Sequence, residues 1–205
     1  MPHQKDIWDE KYKGKGNWNR ETLDLPKVLK GKSVLEIGVG NGKTLKSIIR
    51  MSPESVIAID ISSEAVKIAR KLIPNGVEIM ESDVLDMPFK ENEFDIIVCY
   101  YILNNLLEKE RKKAMNELFR VTKKGGKVLF EDLAVGDFRQ ERKMERVEKN
   151  TIKKGDGLIC HYFTINELNK LFKKFSGKRL KLTESSLIKN LPHLKRRVIS
   201  GVIVK

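Results

Sequence analysis

Hydrophobic positions follow two alternating rhythms between residues 33 and 132. Short runs that are apolar on both sides read as buried strands: Ser33–Ile37, Val56–Asp60, Val77–Met80, Phe94–Cys99 and Lys127–Glu131. Between them the spacing becomes helical. Leu45, Ile48 and Ile49 share one stripe, Val66, Ala69 and Leu72 a second, and Ala114, Leu118 and Val121 a third within a helix around 108–121. Ser62 or Ser63 is placed to cap the second helix, and Pro74-Asn75-Gly76 ends it. Gly125-Gly126 turns the chain into the fifth strand. Strands with two apolar faces, separated by helices, predict a parallel sheet covered on both sides by right-handed crossovers.

The flanks are less regular. Residues 1–32 are polar with isolated aromatics, Trp8, Tyr12 and Trp18. Residues 137–150 read as a charged helix able to act as a lid, with Arg139, Arg142, Lys143 and Arg146 on one face. Thr164-Ile165-Asn166-Glu167 is a capping box opening a helix to about Lys174. Arg179–Glu184 and Arg197–Val204 form a hairpin around Pro192-His193 that adds antiparallel pairing at the sheet edge. The expected fold is α/β: a doubly wound, mostly parallel seven-stranded sheet with an antiparallel edge strand. A single domain over 1–205 is expected, with 33–132 as its ligand-binding core.

Composition narrows the class. A chain of 205 residues that is 40% hydrophobic can bury a core without staples. Cys99 and Cys160 share no CxxC spacing, and His3, His161 and His193 no metal-ligand spacing, so free buried thiols and no metal are expected. No segment approaches the ~20 apolar residues of a membrane span, and the N-terminus lacks a signal-peptide core. A soluble cytoplasmic protein is expected. The net charge of +13 is unevenly spread. Residues 1–136 carry 23 Lys and Arg against 21 Asp and Glu, a net +2; residues 137–205 carry 18 against 7, a net +11. Such a field attracts polyanions such as RNA. A charge-rich surface that supports stability at high temperature gives the same numbers.

The chemistry starts at Glu36-Ile37-Gly38-Val39-Gly40-Asn41-Gly42. Glycines at alternate positions allow a tight strand-to-helix turn and close approach of a ligand to the main chain. A dinucleotide loop has its third glycine one position later, and Glu36 would repel a pyrophosphate while suiting an ammonium group. Asp60 ends the second strand about 20 residues on, where an acid accepts hydrogen bonds from ribose hydroxyls. Asp83, after the third strand, can accept from an exocyclic amine while the Val84 N–H serves a ring nitrogen. All three acids fall at carboxyl ends of strands, the crevice in which doubly wound sheets bind ligands.

With Val34–Gly42, Ile57–Ser62, Ser82–Phe89, Phe94–Val98 and Val121–Leu129 together, the chain resembles class I S-adenosylmethionine-dependent methyltransferases, close to the small type 11 group. The resemblance is strong over 33–132, and Trp8-Asp9-Glu10-Lys11-Tyr12 is similar to the entry segment of many members. It implies the Rossmann-like methyltransferase fold, S-adenosyl-L-methionine as cofactor and S-adenosyl-L-homocysteine as product. It places Gly38, Gly40 and Asn41 in the turn against the methionine part, with Glu36 organising that turn and the cofactor amine. Asp60 takes the ribose, Ile61 packs on the adenine, and Asp83 and Val84 read its edge. Cys99 and Tyr100 floor the site, and Trp8 and Tyr12 in residues 1–32 help close it.

Methyl transfer from a sulfonium needs alignment more than acid–base help, and no base is assigned. Tyr100, Tyr101, Asp132 and His161 remain as further pocket residues. The Asn-Pro-Pro-Tyr of many amino-methylating enzymes is absent after the fourth strand. Asn104-Asn105 stand where many type 11 members carry a His pair. A small-molecule acceptor is therefore favoured, with RNA possible through basic residues 139–197, or protein. The rival classes are a nucleotide-binding oxidoreductase, disfavoured by the glycine spacing and Glu36, and a non-catalytic scaffold.

Overall fold

A computed structural model describes residues 4–13, 25–73, 76–140, 144–186 and 194–205. The elements run α1 (Gln4–Tyr12), β1 (Ser33–Ile37), α2 (Lys43–Arg50), β2 (Ser55–Asp60), α3 (Ser63–Leu72), β3 (Glu78–Glu81), β4 (Phe94–Tyr100), α4 (Glu108–Val121), β5 (Thr122–Leu133), β6 (Glu145–Glu148), β7 (Thr151–Lys153), β8 (Ile159–His161), α5 (Ile165–Leu171), β9 (Gly177–Ser186) and β10 (Lys195–Val204). Seven strands form one sheet in the order β3-β2-β1-β4-β5-β10-β9. β1 to β5 are mutually parallel. β10 runs antiparallel to both β5 and β9, so the antiparallel strand lies one in from the edge strand β9. The strand order reverses between β1 and β4, which creates the crevice at the sheet's carboxyl edge.

Over the central strands β1, β4 and β5 both faces of the sheet are buried, as the two-sided apolar runs require. On one face Leu35, Ile97, Cys99, Phe130 and Ile199 pack with Ala114 and Leu118 of α4 and Phe172 and Phe175 beyond α5. On the other, Val34, Ile96, Val98 and Leu129 meet Ile48 of α2 and Leu25 and Leu29. Ser62 caps α3, its hydroxyl accepting the Ala65 N–H at 3.1 Å. Leu72, expected on the inward stripe of α3, is 43% exposed; Ala65, Val66 and Ala69 carry that packing instead. β5 begins at Thr122, earlier than the glycine pair suggested. Thr122 pairs with Phe94, and register shifts before Lys127 meets Ile96.

The expected lid helix over 137–150 is absent among the described residues. Asp137 is buried and its carboxylate accepts the Arg139 N–H (3.1 Å), the Arg139 Nε–H (2.6 Å) and the Arg197 N–H (2.9 Å), which fixes a turn. Further on, β6, β7 and β8 form a separate three-stranded antiparallel sheet. Arg146 therefore lies on a strand and not beside Arg139 on a helix, while Arg142 and Lys143 lie outside the described residues. The helix pattern had a charged stripe but no apolar one, and burial of Ile152 with Leu133, Cys160 and Tyr162 decided the segment. Arg111 of α4, 3% exposed, ties this sheet down: it reaches the Leu106 carbonyl (2.5 Å), Glu148 (3.3 Å) and Glu167 (3.9 Å). α5 starts at the Thr164 cap as expected but ends at Leu171, because Phe172 and Phe175 both turn into the core. The turn around Pro192-His193 lies outside the described residues. No helix among the described residues is long and apolar enough to cross a membrane.

Gly201 shows why β10 admits no side chain at its centre. A Cβ there would lie 2.3 Å from the Arg179 carbonyl oxygen of β9, a backbone atom that cannot swing aside. Gly201→Ala is expected to cost about 1–3 kcal/mol of stability, in line with overpacking elsewhere. A thermal melt equal to that of the unsubstituted protein would contradict it.

Candidate active site

The crevice at the carboxyl ends of β1 to β4 holds a cavity of about 250 Å³. Of the residues expected to bind a cofactor, Gly38, Asp60, Ile61, Asp83, Val84, Tyr100, Trp8 and Tyr12 line it. Five separate stretches of chain thus converge on one space.

The glycine turn follows directly from β1. The N–H groups of Gly38 and Val39 donate to the Ile59 carbonyl (2.8 and 3.0 Å), so the turn is anchored to the end of β2. Gly38 sits at φ +79°, and a Cβ there would fall 2.1 Å from Ile102 Cδ1. Gly40 sits at φ +53°, with the Tyr12 hydroxyl 2.8 Å from where its Cβ would be. Both positions need the left-handed backbone region; Gly38 lines the cavity, whereas Gly40 lies beneath Tyr12 and does not. Asn41 belongs to the same turn but does not line the cavity.

Asp60 is 8% exposed and braces this turn. Its Oδ2 accepts the Gly40 N–H and its Oδ1 the Ser62 N–H, each at 2.9 Å. Burial pushes its carboxyl above the usual range, and the backbone donors oppose that rise. With the Ile61 N–H as a third backbone partner, the carboxylate still has acceptor capacity for a ligand hydroxyl. Glu36, 2% exposed, lies behind the turn and not on the cavity wall. Its Oε2 has no hydrogen-bond partner. Burial, and then the Asp60 carboxylate, hold its carboxyl well above the ordinary range. An orphaned buried carboxylate oxygen beside a glycine cradle fits a group that supplies an ammonium donor. Asp83 is held by its own loop, its Oδ1 accepting the Leu85 N–H at 2.8 Å.

α1 forms the outer wall. Trp8 and Tyr12 stack with ring centroids 6.0 Å apart. Asp9 pins the helix to the start of α3, accepting from the Ser62 hydroxyl (2.6 Å) and the Glu64 N–H (3.2 Å). Lys11 pairs with Asp156 on the loop before β8. Burial, with the Asp60 charge added, raises the Tyr12 phenol well above its usual pKa.

Cys99 is the expected floor residue that the structure puts elsewhere. Side chains alternate along β4, so Tyr100 reaches the cavity while Cys99 enters the core with Leu35 and Phe130. Its thiol is fully buried, and burial raises its pKa. Asp132 and His161 also leave the cavity. Asp132 accepts the Asn104 and Leu133 N–H groups, each at 3.0 Å. His161 is bracketed by the Thr151 hydroxyl (2.7 Å) and Glu167 (2.9 Å). Ser82 and Asn105, named within sequence motifs, line it as well, and Gln4, Ile37, Ile59, Ile102 and Leu106 do so without having been singled out. Tyr101 also lines it, at φ +57°, a strained backbone for a bulky residue. Its hydroxyl donates to Glu131 and accepts from Arg196 Nη2 at 2.6 Å. A pair of tyrosines directly after an apolar strand was the available sequence signal.

A glycine turn and carboxylates ending successive strands thus meet at one crevice. A family model described as a methyltransferase domain matches residues 35–130. The tRNA N(3)-methylcytidine methyltransferase trm140 of Schizosaccharomyces pombe is 30% identical, over 93% of this chain and 69% of that protein. The ubiquinone/menaquinone biosynthesis C-methyltransferase UbiE of Salmonella arizonae is 35% identical over 55% of this chain and 47% of its own length, so the chain spans about half of that relative. A crystal structure of a SAM-dependent methyltransferase from Methanosarcina mazei has the same fold, with a TM-score of 0.70 at 23% identity, covering 89% of this chain and 99% of that one. The chain belongs to the class I S-adenosylmethionine-dependent methyltransferases, in the type 11 group.

Proposed function

We propose that this protein transfers the methyl group of S-adenosylmethionine to an acceptor presented at the mouth of the β1–β4 crevice. The observation that carries the reading is the convergence of Gly38, Asp60, Ile61, Asp83 and Val84 on one cavity, with the orphaned Glu36 oxygen behind it. In this reading Glu36 and the glycine turn take the amino-acid end, Asp60 the ribose hydroxyls, and Asp83 with the Val84 N–H the adenine. The bound cofactor supplies an activated methyl group on a sulfonium. The chain's own residues orient it, keep water out through Trp8 and Tyr12, and leave the Tyr100–Tyr101 side to the acceptor.

Titration calorimetry with S-adenosylhomocysteine tests this, with NAD as the control. Binding of the first and not of the second is expected; the reverse would place the chain among oxidoreductases. Glu36→Gln sharpens the test. An amide tolerates burial better than a carboxylate without a partner, so the variant should melt higher in the absence of ligand. It should also bind S-adenosylhomocysteine more weakly, because its amide lacks the charge that attracts the amine. A variant that binds as well as the original would remove Glu36 from the site.

For the acceptor we favour RNA. Likeness to the tRNA-modifying relative extends over 93% of this chain, well past the shared cofactor core, and the C-terminal third carries most of the positive charge. A small molecule, the class that composition and motifs alone favour, keeps support from the higher identity to the quinone-biosynthesis enzyme within the core. Methyl transfer from labelled cofactor to unmodified tRNA, compared with a metabolite extract, separates the two.

A further inference from the structure

The hairpin at the sheet edge sorts its charges by face. In β9 and β10, Arg179 stands opposite Val202, Lys181 opposite Ser200, Thr183 opposite Val198 and Ser185 opposite Arg196. β5 continues these rows, with Lys127 opposite Val204, Leu129 opposite Val202 and Glu131 opposite Ser200. Directly opposed residues project to one side of a sheet. That side therefore carries Lys127, Arg179, Lys181 and Arg196 with the hydroxyls of Thr183, Ser185 and Ser200, around an apolar middle of Val198, Val202 and the buried Leu129 and Leu133, and it is exposed along β9. Its acid among these rows, Glu131, is engaged by the Tyr101 hydroxyl. The other side of the hairpin packs Leu180, Ile199 and Ile203 on the α5 region. There Glu184 neutralises Lys195 (2.6 Å) and Arg197 (3.4 Å). Among the described residues, Lys127, Arg179 and Lys181 make no ion pair.

We propose that this basic face of β5, β10 and β9 is the surface on which the protein holds the phosphate backbone of an RNA acceptor. The inference rests on the methyltransferase reading and on RNA as its acceptor class. Three adjacent strands span about 10 Å, close to the Debye length of roughly 8 Å at physiological salt. The cations of the outer two rows thus act on one stretch of backbone together. Lysine and arginine supply the charge, and serine and threonine hydroxyls are common hydrogen-bond donors to phosphate. Guarding an exposed edge strand would account for cations on β9. It would not account for Glu184, the acid of the described part of β9 and β10, lying on the opposite side. Nor would it account for Arg196, whose guanidinium lies 5.3 Å from the Tyr101 ring centroid and bonds to its hydroxyl. Tyr101 lines the cofactor cavity, so the basic face is continuous with the site. A backbone laid along the face leads toward the pocket mouth.

The test is fluorescence anisotropy of a labelled, unmodified tRNA transcript titrated with the full chain over a range of salt. The variant combines Lys127→Ala, Arg179→Ala and Lys181→Ala, none of which lines the cavity. Three lost phosphate contacts should shrink the log–log salt slope by about 2–3 and weaken binding about tenfold or more at low salt. The matched control, Lys109→Ala with Lys170→Ala and Lys173→Ala on and beside α4 and α5, removes the same charge elsewhere and should leave binding within about twofold. Equal loss in both would mean attraction by net charge alone and would overturn the surface. So would an unchanged variant, or wild-type protein that binds phosphatidylserine vesicles but not tRNA. S-adenosylhomocysteine calorimetry on the same preparations keeps the two claims apart. Intact cofactor binding without tRNA binding defeats only this surface, whereas tRNA binding without cofactor binding defeats the methyltransferase reading.

Discussion

Asp60→Ala should weaken S-adenosylhomocysteine binding by about ten- to a hundredfold. A hydrogen bond to a charged group contributes roughly 1.5–3 kcal/mol, and each 1.4 kcal/mol is about a factor of ten in affinity. Asp60 also does a second job, because its two oxygens hold the Gly40 and Ser62 N–H groups in the ligand-free protein. Removing them leaves two donors in a buried turn without their acceptor, so the melting temperature should fall as well. Calorimetry and a thermal melt together tell these roles apart. Lower stability with unaltered affinity would make Asp60 a brace for the turn and nothing more.

The second large effect concerns Asp132, which is fully buried at the end of β5. Burial lifts its pKa to about 8 from 3.8, against the pull of the Leu133 and Asn104 N–H groups, and Glu131 adds to the rise. Between those two values the folded protein retains the proton and the unfolded chain has released it. The group's contribution to stability is complete at low pH and falls by roughly 1.4 kcal/mol for each pH unit across that window. It levels off above the folded pKa. Asp132→Asn removes the titration but turns an amide NH2 toward one of the two backbone donors. The variant should therefore be less stable than the original near about pH 5 and draw level with it toward about pH 8. Urea denaturation at a series of pH values gives both curves. Parallel curves would show that Asp132 ionises as an ordinary carboxyl does.

The fold was largely legible in the sequence, and so were most of the residues that line the candidate crevice. Strands such as Phe94–Cys99 announce themselves because burial on both faces demands uninterrupted apolar runs. Gly38, Gly40 and Asp60 were legible because a strand-to-helix turn that presents its backbone admits few residue types. Other features depended on partners distant in sequence. The 137–150 segment has helical charge spacing, yet the carboxylate of Asp137 and the burial of Ile152 beside Leu133 settle it as a turn followed by strands. Cys99 and Tyr100 are neighbours in the chain, and only the orientation of β4 in the sheet says which of them faces the cavity. Gln4 and Leu106 line the cavity with no local pattern that marks them.

What the sequence determined by itself was the alternation of buried strands and helices, and hence a doubly wound sheet with acids at its carboxyl edge. That information is local, because side-chain periodicity and glycine's backbone freedom act over a few residues. What only the tertiary structure decided was the sharing of one cavity by α1 and the β1–β4 crevice, the small sheet in place of a lid helix, and the sorting of the hairpin's charges onto opposite faces. Those depend on register and packing between segments up to about a hundred residues apart, as in the bond from Arg196 to Tyr101. No window of neighbouring residues carries that pairing, since it exists only once the strands between them have taken their places in the sheet.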